Sequence, residues 1–246
     1  MIEAPTVRLL VNGLEQTVSV DTHLIDDILV PQLGALARKG DSARSFAFLT
    51  APPGVGKSTL AALVEQRRGQ LDLDTIGMDG FHYPNAYLAT HHLPGDHPTS
   101  LSSIKGAPET FDVAELKRHL QASGAHELVW PVYDRTLHDV VAAGKTIAAK
   151  VVLLEGNWLL LDEPRWRELS DYSALNIFID ADPDQLKERL IERKMRGGMD
   201  HLCAAKFYET SDRPNIDRVL QNTDRRKVDL ALQLKTDGTI DLGESQ

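Results

Sequence analysis

Ala51-Pro52-Pro53-Gly54-Val55-Gly56-Lys57-Ser58-Thr59, entered from the apolar run Phe46-Ala47-Phe48-Leu49, reads as a phosphate-binding loop between a buried strand and a helix. In such a loop the backbone N–H groups of residues like Pro53-to-Thr59's non-proline members curl around phosphates, the lysine reaches the β- and γ-phosphate oxygens, and the serine hydroxyl ligates Mg²⁺. Pro53, Gly54, Val55, Gly56, Lys57, Ser58 and Thr59 are therefore the expected nucleotide-binding residues, with a nucleoside triphosphate and Mg²⁺ as ligands. The loop departs from the commonest pattern at its first position, where Ala51 stands for glycine. Alanine fits there only if its backbone keeps a negative φ.

Working outward, the strand Ser45 to Thr50 precedes the loop and a helix from Lys57 to about Arg68 follows it. A short strand, Thr75 to Met78, ends at Asp79. Residues 84–108, rich in Pro, His, Gly and Ser, read as a long functional loop with at most short helical turns. Asp112 can cap a helix to about Ala122. The almost wholly apolar run Val151 to Leu154 is expected to be a central parallel strand covered on both faces, with another strand at Leu175 to Ile179. After Pro183 come a charged helix to about Arg196, then Gly197-Gly198, a helix near Cys203 to Thr210, and a strand at Val228 to Leu234. Alternating strands and helices after a phosphate loop predict an α/β, doubly wound, mainly parallel sheet with helices on both faces and the site at the strand C-termini.

Toward the N-terminus, residues 7–20 alternate around Asn12-Gly13, a β-hairpin signal. Leu24, Ile25, Ile28, Leu29, Leu33 and Leu36 follow helical spacing from Thr22 to about Arg38, with Asp21 or Thr22 as cap and Gly40 beyond the end. Pro31 inside this run predicts a kink or two short helices. The expected organisation is one domain over 1–246: an extension at 1–44, a core at 45–235, and a lid at about 186–200.

The 246 residues carry a net charge of −9 and 42% hydrophobic residues, enough for a substantial core. The acidic balance argues against a general nucleic-acid surface. The single cysteine, Cys203, has no internal partner, and neither an apolar leader nor a run of about 20 apolar residues is visible. A cytoplasmic protein without membrane association is expected; a homodimer is compatible with the sequence.

Two acidic segments compete for the second nucleotide motif. Leu159-Leu160-Leu161-Asp162-Glu163-Pro164 mimics transporter ATPases, but residues 130–150 contain no LSGGQ-like stretch. Leu234-Lys235-Thr236-Asp237 is a poor match to a guanine-reading motif. Val151-Val152-Leu153-Leu154-Glu155-Gly156 ends a buried run with Glu155, expected to hold Mg²⁺ alongside Ser58.

Met78-Asp79-Gly80-Phe81-His82-Tyr83 suits a different chemistry: an aspartate after the second strand can accept the proton of a hydroxyl attacking a γ-phosphorus. Here the chain resembles the P-loop kinases comprising uridine kinase, phosphoribulokinase and bacterial pantothenate kinase, whose pattern puts Asp, one residue, then Phe and His or Tyr at this place. Lys105-Gly106-Ala107-Pro108-Glu109-Thr110-Phe111-Asp112 is similar to the family's substrate-side segment. Pro131-Val132-Tyr133-Asp134-Arg135-Thr136-Leu137-His138 resembles its acceptor-contacting segment. The resemblance covers about residues 45–235. It is strongest to a bacterial subgroup known as nucleoside/nucleotide kinase-like, in part as fructose-transport-associated kinases, through Asp-Gly-Phe-His and Glu-Gly-Asn-Trp-Leu-Leu-Leu-Asp.

The resemblance implies ATP- and Mg²⁺-dependent transfer to a small-molecule hydroxyl acceptor, sugar-like, nucleoside or pantothenate-like. Asp79 is then the base, and His82, Tyr83, Lys105, Glu109, Asp112, Tyr133, Arg135 and His138 surround the acceptor. The region of Lys187, Arg189, Arg193, Lys194 and Arg196 corresponds to a lid. Arg189 and Arg193, at i and i+4, share a helix face and with Lys57 complete the expected catalytic cations. Asp212, Pro214 and Asn215 are candidates for adenine contacts by their place after the lid. His91, His92, Asp96 and His97 match no strong zinc spacing, and Trp130, Trp158 and Trp166 read as packing residues. The alternative from another class is a nucleotide-switch ATPase regulating a protein partner, with the N-terminal hairpin as docking surface.

Overall fold

A computed structural model describes residues 6–11, 14–19, 22–38, 44–95, 99–122, 124 and 127–243. Asn12, Gly13, Asp21, Gly40, Asp96 and His97, named above for turns, caps and a metal, lie outside the described residues.

The chain opens with β1 (Thr6–Val11) and β2 (Leu14–Ser19), paired antiparallel as the alternation predicts. The helical run beyond is split: one π-helical turn, Leu24–Leu29, passes into α1 (Val30–Ala37). Pro31 sits in the first turn of α1, where its missing N–H leaves no orphan, so the expected break falls just before the proline. Next come β3 (Ser45–Thr50), α2 (Lys57–Arg67), β4 (Leu73–Gly77), α3 (Asn85–Thr90) and α4 (Val113–Gln121). The Asp112 side chain caps α4 by accepting the Glu115 N–H at 2.9 Å. The second half holds β5 (Leu128–Asp134), β6 (Asp139–Ile147), β7 (Val151–Gly156), β8 (Ser173–Asp180), α5 (Pro183–Arg196), α6 (His201–Phe207), α7 (Arg213–Asn222), β9 (Leu230–Leu234) and β10 (Ile240–Leu242).

The main sheet has the order β10-β9-β8-β3-β7-β4, with every pair parallel except β10-β9. The loop strand β3 is central, between β7 and β8 in the order, so both carboxyl-end loops beside the phosphate loop come from buried strands. Successive residues divide between two cores. Ala47, Leu49, Val151, Leu153, Ile177 and Ile179 face α1, α2, α5 and α6, whereas Phe46, Phe48, Val152, Leu154 and Phe178 face α4, the three tryptophans and Val219 of α7. Helices therefore cover both faces of a doubly wound sheet. Leu9 and Val11 of β1 belong to the first core, which docks the N-terminal hairpin against α2.

Three differences from the sequence reading have physical reasons. β4 ends at Gly77, and Asp79 lies in the following 3₁₀ turn, Met78–Phe81, instead of at the strand tip. The turn is closed by the His82 N–H on the Asp79 carbonyl at 3.2 Å. The antiparallel pair β5-β6 lies where the residues show no strand alternation; Pro131 interrupts its first strand, and the register shifts between Trp130 and Val132. A two-stranded edge tolerates a residue that donates no ladder bond. Helix α7 begins with Pro214 in its first turn and buries Ile216 and Val219, so the helical region continues well past Thr210.

No described helix is long and apolar enough to cross a membrane.

Candidate active site

The phosphate loop emerges where β3 stops. Ala51 is buried and is not among the non-glycine residues with positive φ, so the alanine fits as the sequence requires. Gly54 and Gly56 do take positive φ, +88° and +112°, and Gly56 caps α2. That geometry turns the loop amides and the positive end of α2 toward one point, an anion-binding arrangement. Lys57 is 7% exposed and donates to its own loop, to the Ala51 carbonyl at 3.0 Å and the Pro52 carbonyl at 3.2 Å. Burial depresses its ammonium to about 8, against the charges of Glu155 and Asp79.

Beside it, the Ser58 hydroxyl donates to Glu155 Oε1 at 2.7 Å. Glu155 stands at the carboxyl end of β7, and burial pushes its carboxyl above the usual range while Lys57 pulls it down. A hydroxyl and a carboxylate are hard oxygen donors of the kind Mg²⁺ takes, so the pair fits the ion that accompanies ATP. Ser58 and Glu155 would hold it, and it would neutralise charge on the phosphates.

Helix α5 lies across the loop. A Cβ on Gly54 would come within 2.9 Å of Leu190, and the Arg189 guanidinium reaches the Val55 carbonyl at 3.4 Å. Arg193 is depressed by burial and sits within the fields of Asp212, Arg135 and Asp79. Arg189 therefore faces the loop, and Arg193 lies among the charges around Asp79 and Asp212. Lys194 instead turns to Asp212, 3.3 Å away, and lies over the Phe207 ring at 3.7 Å. Lys187 pairs with Glu209 at 2.7 Å, away from the loop. Gly197 ends α5 as its C-cap.

Asp79 is held from two sides. Its Oδ2 accepts from Arg135 Nη2 at 3.0 Å, and its backbone carbonyl accepts from His82 Nδ1 at 2.8 Å. Because a carbonyl can only accept, the imidazole carries its proton on Nδ1. Burial keeps His82 below the ordinary histidine range, hence neutral. Gly80 is where the 3₁₀ turn meets the β5-β6 hairpin: any Cβ there would overlap the Pro131 carbonyl. Trp130 Nε1 donates to the Gly77 carbonyl at 2.9 Å, a second tie between hairpin and turn.

The eight residues expected around the acceptor fall into three groups. Tyr133, Lys105, Arg135 and His138 gather on the hairpin side: Lys105 Nζ lies 4.9 Å and Arg135 Cζ 5.7 Å from the Tyr133 ring centroid, and the His138 carbonyl accepts from Lys105 at 2.6 Å. His82, Tyr83 and Asp112 line a cleft of about 260 Å³ with Glu115 and His119. The His82 ring links the two groups, 3.7 Å from Phe111 and 5.5 Å from Tyr133 between centroids. Glu109 stands apart from both: Arg218 Nη1 and Nη2 donate to it at 3.1 and 2.7 Å, and Arg218 also grips Glu163. The decoy motif is thereby explained, since Glu163 pairs with Arg218 and Asn222 while Asp162 pairs with Arg167.

Asn85 and Arg165 escaped the sequence reading. Asn85 Oδ1 accepts from Lys105 at 2.6 Å, and Arg165 Nη2 reaches Tyr83 Oη at 3.5 Å. Pro84 before Asn85 and Pro164 before Arg165 mark turns but carry no chemical signal of their own. Trp130, Trp158 and Trp166 are buried in the second core, as expected of packing residues. His91 stacks on Tyr87 with ring centroids 3.6 Å apart.

No known protein-family profile matches the chain. It is 39% identical over 239 residues to the uncharacterized protein YggC of Escherichia coli K12, across 94% of this chain and 97% of that protein. It is 29% identical to the candidate uridine kinase C227.14 of Schizosaccharomyces pombe, across 68% of this chain and 73% of that protein. Among solved structures, a candidate fructose transport system kinase from Silicibacter sp. TM1040 superposes with a TM-score of 0.71 at 28% identity, covering 79% of this chain and 95% of that one. With its phosphate loop and this set of relatives, the chain belongs to the same family as YggC and is a P-loop kinase similar to uridine kinase and pantothenate kinase.

Proposed function

We propose that the protein transfers the γ-phosphate of Mg²⁺-ATP directly to a hydroxyl of a small sugar-like metabolite, with Asp79 as the base. The observation that carries this reading is the Asp79 carboxylate, oriented by Arg135 at 3.0 Å and close enough to Lys57 and Glu155 for its charge to act on both. A base beside the phosphate loop is what hydroxyl phosphorylation requires. The loop amides from Gly54 to Thr59 and the Lys57 ammonium receive the triphosphate. Asp79 takes the hydroxyl proton as the acceptor oxygen bonds to the γ-phosphorus and the bond to the ADP oxygen breaks. Arg189 and Arg193, reaching over from α5, neutralise charge on the transferring group, and the helix excludes water from it. The polar cluster around Tyr133 and a relative named for fructose transport support a sugar-like acceptor over a nucleoside. The N-terminal hairpin shares the core that underlies the phosphate loop, which supports a single kinase domain.

The test is ADP release, by a coupled assay with Mg²⁺-ATP, across sugars, sugar acids, sugar phosphates, nucleosides and pantothenate. Wild type should respond to one acceptor class. Asp79→Asn should lose about 1,000-fold in kcat with ATP affinity kept. Near wild-type turnover by Asp79→Asn would remove Asp79 as base.

A further inference from the structure

We infer that the acceptor carries an anionic group, carboxylate or phosphate, and that Lys105 binds it; this rests on the kinase reading above. The argument begins with how Lys105 is held. Its ammonium donates to Asn85 Oδ1 and to the His138 carbonyl, each at 2.6 Å, and lies 4.9 Å from the Tyr133 ring centroid. All three are neutral groups. Among the described residues no carboxylate comes within ion-pair distance of Lys105. The nearby Asp139 carboxylate accepts the Asn85 and Val140 N–H groups instead, at 3.0 and 2.9 Å. Two short bonds immobilise a side chain that otherwise carries about 2 kcal/mol of rotamer entropy, and no partner of opposite charge offsets that loss.

The backbone bears a second cost at the same point. Among the described residues only His138 and Arg165 are non-glycine residues with φ in the left-handed region, at 52° and 75°. Such a conformation costs on the order of 1 kcal/mol and persists where the surroundings over-determine it. At His138 they do: Asp134 Oδ1 accepts the Thr136 and Leu137 N–H groups, and the turn so fixed aims the His138 carbonyl at Lys105 and at the Asn85 amide, which donates at 3.0 Å. The hairpin turn thus has one evident product, an ammonium in a fixed place.

The nearest neighbour on the ring is cationic as well: Arg135 lies within 6 Å of the same ring centroid and has Asp79 as its carboxylate partner. In a chain of net charge −9, a rigid cation over an aromatic ring beside the base, with no counter-charge of its own, suits an acceptor that brings one. A neutral polyol or nucleoside would bring no charge to meet the ammonium.

Two measurements on the full chain decide it. The first uses probes and no turnover. With Mg²⁺ and a non-hydrolysable ATP analogue occupying the phosphate loop, inorganic phosphate and acetate are titrated while the thermal midpoint is followed. A midpoint rise in wild type that disappears in Lys105→Gln and returns in part in Lys105→Arg supports the site. Equal responses in wild type and Lys105→Gln overturn it. The second compares matched acceptors: a polyol, its sugar acid and its phosphate ester. Wild type should favour an anionic member by about 100-fold in kcat/KM, and the preferred one names carboxylate or phosphate as the source. Lys105→Gln should abolish the preference through KM for the acceptor, leaving KM for ATP unchanged. Turnover of the neutral polyol equal to or above both anions would overturn the anionic acceptor with the kinase reading intact. Lys105-dependent probe binding without acceptor-dependent ADP release from any compound would keep the anion site and defeat the transfer reading.

Discussion

The nucleotide side and the acceptor side of this site are built on different materials. Lys57, Ser58 and Glu155 stand at the carboxyl ends of central parallel strands or on the helix just after, and Lys57 is almost fully buried. Tyr133, Arg135 and His138 stand on an antiparallel hairpin outside the main sheet, and the side chains of Asp79 and Arg135 are 38% and 43% exposed. On the proposed reading, a common phosphate chemistry is served from the rigid core, and the acceptor from an appended edge outside the main sheet. The lesson is that one chain can keep the reaction and vary the substrate, because the two demands fall on separable elements.

Paired alanine substitutions should separate the halves most sharply. Gly80→Ala forces a Cβ into the Pro131 carbonyl and displaces the hairpin from the Asp79 turn. Acceptor-dependent turnover should fall more than about 100-fold, with ATP affinity, read by calorimetry, within about threefold of wild type. Gly54→Ala strains a φ of +88° and meets Leu190 at 2.9 Å, so ATP affinity itself should fall at least about tenfold. Equal loss of ATP affinity in both variants would show that the halves are not separable.

Arg218→Met probes an ion pair that belongs to neither half. The half-buried guanidinium is pushed above its usual range by its hydrogen bonds with Glu163 and then Glu109, and its loss leaves both carboxylates without their shared cation. Urea unfolding should report about 2 kcal/mol less stability, with ATP affinity unchanged. An unchanged midpoint would mean that these carboxylates find other partners.

The smallest effect concerns pH. His82 is neutral in the folded protein because burial lowers it from 6.5, although Asp79 pulls upward; Lys105 and Arg135 add to the lowering. The unfolded chain binds a proton near 6.5 that the folded one refuses until lower pH. The associated stability is thus fully present above 6.5 and is lost as pH falls below it. The unfolding free energy should decline between pH 7 and 5.5 by less than about 1.4 kcal/mol per pH unit from this group. His82→Gln should flatten the decline in part, since His119 is lowered in the same sense.

The same contrast governs what could be read from the residues alone. The phosphate loop, its two flanking elements, Glu155 at the end of an apolar run and the arginine pair on α5 are local patterns, each within a few residues, and they emerge as expected. The hairpin β5-β6 was hidden by Pro131 and a register shift, which break the alternation that marks a strand. α7 lies beyond the helix expected to end near Thr210, and it carries Pro214 in its first turn, where a proline fits. Glu109 has no local feature that foretells Arg218, more than a hundred positions away in sequence, and nothing near Lys105 announces Asn85 or the His138 carbonyl as its anchors. Long-range pairings are set by topology, which a motif does not contain.

The hydrogen bonds from Lys57 to the Ala51 and Pro52 carbonyls carry a thermodynamic consequence. The loop holds its shape with its own side chain, so the ordering of backbone and lysine is completed when the protein folds. Arrival of a triphosphate is then an exchange of partners at a finished surface, in which the ammonium trades neutral carbonyls for charged oxygens. Association need not include a folding step, and the free energy of that trade remains for affinity and orientation.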